Sequence, residues 1–140
     1  MKNIEGFDHA AAERLTRAMN RAFPYAEVEP GEEHWRQLHG IPLPDEDDRH
    51  VLAASLAAEA TVLCTNNVKD FPPEVVDSLG FAVLTPDQLL SRLAAEYPSQ
   101  MLIVHRTAVV SLKGATNEST VAALRRADAP ATARRIAALL

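Results

Sequence analysis

Asp47 and Asp48, followed some twenty residues later by Asn67 and Asp70, place four oxygen-bearing side chains in one short stretch of this 140-residue chain. Carboxylate and amide oxygens are the ligands that hard cations such as Mg²⁺ and Mn²⁺ take. Two carboxylates about 4 Å apart repel by roughly 4 kcal/mol at an effective dielectric of 20, and a shared proton or a bound cation relieves them. A cation held in that way activates water and steadies a leaving oxygen, so the chemistry such a set could do is metal-assisted hydrolysis. The same residues also read as local structure, with Asp47 and Asp48 capping a helix and Asp70 closing a turn.

What must position them is the segment from Pro44 to Pro72. Asp47 and Asp48 stand where a helix takes its cap and first-turn acids. Val51, Leu52, Ser55 and Leu56 form one helical stripe on an alanine-rich body. Thr61 to Thr65 is short, apolar and β-branched, as a buried parallel strand is. A helix of about 12 residues and a strand of about 5 are both close to 17 Å long, so a turn near Glu59-Ala60 returns the chain to its starting level. This predicts Asp47 and Asp48 beside Thr65, Asn67 and Asp70, at the carboxyl edge of a sheet where α/β proteins bind ligands. Arg49 and Lys69 flank that edge, either to contact a phosphate or to neutralise the acids. His50 is a proton carrier or a packing residue.

Pro-Asp-Glu-Asp-Asp-Arg-His-Val-Leu-Ala-Ala, followed by Val-Leu-Cys-Thr-Asn-Asn-Val-Lys-Asp-Phe-Pro, resembles the second half of a PIN domain, closest to the VapC-like toxins of bacterial toxin–antitoxin pairs. The resemblance implies a Mg²⁺- or Mn²⁺-dependent endoribonuclease. On that match Asp48, with Asp47 beside it, is the acidic position at the helix start. Asp70, with Asn67, supplies the acidic and amide positions after the next strand. Metal would fall to Asp47, Asp48 and Asp70, catalysis to Asp48, Asp70 and Asn67, and substrate contact to Arg49, Lys69 and Thr65. The family pattern opens with a strand ending in aspartate and a helix carrying glutamate, and neither precedes Pro44. The resemblance therefore implies a partial domain whose missing carboxylates and central strand come from another chain or a second copy. An antitoxin-like protein is the other partner it implies. An inactive binding or dimerising remnant is the alternative from a different class.

The rest of the chain supplies the frame. The net charge of −5 argues against general adhesion to nucleic acid, without excluding RNA at a metal site. The single cysteine, Cys64, cannot form an internal disulfide and reads as a small core residue of the strand. No secretory signal is visible and no apolar run reaches about 18 residues, so a cytoplasmic location without membrane insertion is expected. Asp8 to Phe23 reads as an amphipathic helix stopped by Pro24, with Arg14, Arg17 and Arg21 opposite its apolar stripe. Tyr25 to Val28 has strand composition. Glu32 to His39 reads as a short helix ended by Gly40, with Trp35 as anchor or partner surface. His34 and His39 share no helical face and complete no zinc pattern. Pro73 to Leu79, closed by Gly80, is a helix. Phe81 to Leu84 is a second buried strand, and Thr85-Pro86 opens another helix. Met101, Val104, Ala108 and Leu112 share a helical face, and Ser119 to Ala127 with Ala131 to Leu140 form a helical hairpin divided by Pro130. The expected fold is α/β: a partial PIN-like three-layer domain over residues 1–96, with a short parallel sheet flanked by helices. A C-terminal helical extension over 97–140 packs on it.

Overall fold

The computed structural model describes residues 8–140 as a mixed α/β chain, mostly helical, with one short parallel sheet. Its order is α1 (His9–Ala22), α2 (Glu32–Gln37), α3 (Arg49–Ala57), β1 (Val62–Cys64), α4 (Pro73–Leu79), β2 (Ala82–Leu84), α5 (Pro86–Glu96), α6 (Pro98–Ser111), α7 (Asn117–Arg126) and α8 (Pro130–Leu139). Single 3₁₀ turns at Glu46–Asp48 and Val68–Asp70 precede α3 and follow β1. The chain divides into two compact units, residues 1–40 with 49–59 and residues 41–48 with 60–140.

The first unit contains α1, α2 and α3. Asp8 caps α1 by accepting the Ala10 amide at 3.0 Å, and the Phe23 amide closes the last turn on the Met19 carbonyl. Gly31 is the cap residue of α2, and His34 in the first turn reaches back to it, its Nδ1 accepting the Gly31 amide at 2.9 Å. Gly40, at φ +78, carries the backbone out of that region in a conformation an L side chain resists. Leu38, Leu52 and Ala53 are fully buried. The Ser55 hydroxyl, on the buried face of α3, donates back to the Val51 carbonyl at 2.8 Å, so it carries no unpaired polar group inside. Glu59 takes the left-handed conformation at φ +52 and ends the helix where the turn is predicted.

Two readings change here. Tyr25 to Val28 is irregular, not a strand: Tyr25 is 94% exposed, and Asn20 Nδ2 ties the segment to α1 by donating to Glu27 Oε2 at 2.7 Å. Strand composition has no effect without a neighbour to pair with. The apolar stripe of α1 also remains exposed, since no α1 residue is buried.

In the second unit β1 and β2 pair in parallel, Val62 with Ala82, Leu63 with Val83 and Cys64 with Leu84. Leu63, Phe71, Val75, Val76 and Phe81 are buried around this pair. Gly80 ends α4 at φ +89, its amide on the Val76 carbonyl, and delivers the chain into β2. Cys64 is exposed, which corrects its reading as a core residue. Successive side chains on a strand face opposite sides, and here only the Leu63 side is covered.

Thr85 opens α5 with a reciprocal cap, its Oγ1 accepting the Gln88 amide while Gln88 Oε1 accepts the Thr85 amide. Two residues on, Asp87 reaches across the sequence to the start of α8. Its carboxylate accepts the Ala131 amide at 3.0 Å, the Thr132 amide at 2.8 Å and the Thr132 hydroxyl at 2.7 Å. Ala129, at the cap position of α8, has no side chain able to do this, so Asp87 caps that helix from a distance. Burial pushes the Asp87 carboxyl up, but the bonds from Thr132 and Ala131 and the nearby Arg134 outweigh it and hold it below the ordinary 3.8. Val121, Ala133 and Ile136 form the core of the helical end, with Met101 and Leu124 packed against it. His105 Nε2 lies 3.0 Å from Asn117 Oδ1, joining α6 to the first turn of α7. His105 is therefore the buried residue of α6, whereas Val104 and Leu112, from the face read as its core stripe, are exposed.

Replacing Asp87 by Ala strands two helix amides and leaves the buried Thr132 hydroxyl only the backbone carbonyl of that position at 3.2 Å, and is expected to lower unfolding free energy by about 2 kcal/mol. Because the folded carboxyl titrates below its unfolded value, this stabilisation is present above pH 3.8 and fades as pH falls through the folded value. Urea unfolding of parent and Asp87→Ala at neutral pH and near pH 3 checks both points: the gap between them narrows in acid.

Candidate functional site

The carboxyl end of β1 is built as a chain of backbone anchors. The Thr65 amide donates to the Leu84 carbonyl at 2.9 Å, which extends the ladder by one residue. The Thr65 hydroxyl then accepts the Asn67 amide at 3.1 Å, an ordinary turn made by a β-branched hydroxyl residue. The Asn67 carbonyl accepts the Asp70 amide at 3.0 Å and the Val68 carbonyl accepts the Phe71 amide at 3.1 Å, closing the 3₁₀ turn. Phe71 is buried and ends the loop in the core. Thr65, Asn67 and Asp70 are thus fixed relative to the sheet rather than lying on a loose loop. Thr65 and Asp70 are half-buried, and Asn67 and Lys69 are exposed.

Asp47 and Asp48 lie in the other 3₁₀ turn, in the same compact unit as Asp70. Asp45 organises that turn: its Oδ1 accepts the Asp47 amide at 2.9 Å and its carbonyl the Asp48 amide at 3.1 Å. Asp48 is half-buried and Asp47 exposed. Arg49, assigned to substrate by the resemblance, has a structural bond in the first unit, Nη1 donating to the Leu38 carbonyl at 2.7 Å. A guanidinium has five N–H donors, and this bond engages one of them. His50 is exposed.

Lys69 lines a cavity of about 430 Å³ beside the turn, walled by Val68, Pro72 and Pro73 on one side and by Ala82 and Val83 of β2 on the other. Asp77 contributes the only other charge to that lining. The lining thus combines an apolar wall with one ammonium and one carboxylate.

The donor chemistry at Asp47, Asp48, Asn67 and Asp70 suits a hard cation. The donor number does not: among the described residues, no group of three or more His, Cys, Asp or Glu is gathered to hold a metal ion. Asp45, Asp87 and the Thr65 hydroxyl were not singled out as framework by the sequence reading. Pro44-Asp45 does carry the signal of a turn start, whereas nothing local to Asp87 announces a partner 44 residues away.

Comparison with protein-family models, with curated proteins and with solved structures gave no match for this chain. The likeness to PIN domains accordingly rests on the two acidic motifs. Among the described residues, no helix is long and apolar enough to cross a membrane.

Thr65→Val keeps the side-chain shape but removes the acceptor for the Asn67 amide. It is expected to cost about 1 kcal/mol in urea unfolding. An unchanged midpoint would show that Phe71 alone anchors the loop.

Proposed function

We propose that this chain is one part of a PIN-like, VapC-like endoribonuclease, supplying Asp48 and Asp70 to a Mg²⁺ or Mn²⁺ site that a further chain or a second copy completes. The observation that carries this reading is the rigid turn at the carboxyl end of β1. There the half-buried Asp70 is held through Asn67 and Thr65 to the Leu84 carbonyl, next to a cavity that presents Lys69. In that role Asp48 and Asp70 offer carboxylate oxygens, Asn67 orients a ligand, and Lys69 meets a phosphate while a base rests on the apolar wall. Asp47 is an outer carboxylate of the same set, and Thr65 borders the substrate. Waters and substrate phosphate complete the six-oxygen shell of Mg²⁺ around one or two carboxylates, and the further carboxylates that the resemblance implies would come from the completing partner. The bound ion supplies Lewis acidity for phosphodiester hydrolysis.

Charge distribution favours RNA as the partner more than the total suggests. Residues 97–140 hold six Lys and Arg against two Asp and Glu, against a whole-chain charge of −5. Arg125-Arg126 and Arg134-Arg135 account for most of that excess. A net-positive segment is what holding a polyanion calls for.

The second reading, a binding remnant that no longer cuts RNA, is favoured by the missing three-donor group. Mn²⁺ titration separates the two. At tenfold excess over its dissociation constant a bound ion adds about 1.4 kcal/mol, a rise of a few degrees in melting temperature for a chain of this size. The rise is expected in the parent and lost in Asp48→Asn and Asp70→Asn. No rise at millimolar Mn²⁺ removes both residues from metal binding and leaves the remnant reading.

A further inference from the structure

We draw no further inference here: the strongest candidate, the apolar groove of about 380 Å³ between α6 and α7 lined by Met101, Val104, Thr120 and Leu124, carries none, because the unpartnered Thr120 hydroxyl in its wall is itself buried and nothing in the structure shows what covers the groove.

Discussion

The carboxylate of Asp87 joins the two ends of the larger unit. It leaves the sheet on the first turn of α5 and supplies the cap that α8 lacks, taking two amides and a hydroxyl from Ala131 and Thr132. Thr132 is 1% exposed, and its hydroxyl finds acceptors only on Asp87, the carboxylate at 2.7 Å and the backbone carbonyl at 3.2 Å. Arg135 adds a bond from Nε to the Ser91 hydroxyl one turn further along α5. Helix α8 in turn carries Ala133 and Ile136 into the core with Val121. One acid therefore connects the sheet to the helical end over a sequence separation that no local preference bridges.

The same edge of the sheet gives acids opposite uses. Asp87, after β2, is occupied as a helix cap. Asp70, after β1, belongs to a turn whose backbone is already satisfied by Asn67 and Thr65. That leaves the Asp70 side chain out of the turn's own construction. A carboxylate on a rigid, satisfied turn is what a cation site needs, because the ion then meets ligands that do not reorganise on binding. The proposed role of Asp70 follows from this difference in environment rather than from acidity alone.

Much of the framework was legible in the sequence because its signals are local. Thr85-Pro86 with Gln88 marks the start of α5, Gly80 marks the end of α4, and the β-branched runs around Leu63 and Val83 mark the strands. What was not legible depends on partners. Cys64 reads as core on composition, but only one face of its strand is covered. Tyr25 to Val28 has strand residues and no strand to pair with. The α1 stripe has every mark of a core face and buries nothing. Arg49 is drawn to the Leu38 carbonyl, a bond that spacing along the chain does not announce. The acidic site was legible as residue types, in Asp48, Asn67 and Asp70. Its donor count was not, since that depends on which turns face one another.

Paramagnetic Mn²⁺ broadens amide resonances steeply with distance, so an NMR titration of the full chain reads the proposed cation site residue by residue. If Asp48 and Asp70 serve one ion, their amides and that of Asn67 broaden together at the same low Mn²⁺ concentration, ahead of Asp77 and Asp87. Broadening of only one of the two aspartates, or uniform broadening across all exposed acids, would contradict a shared site.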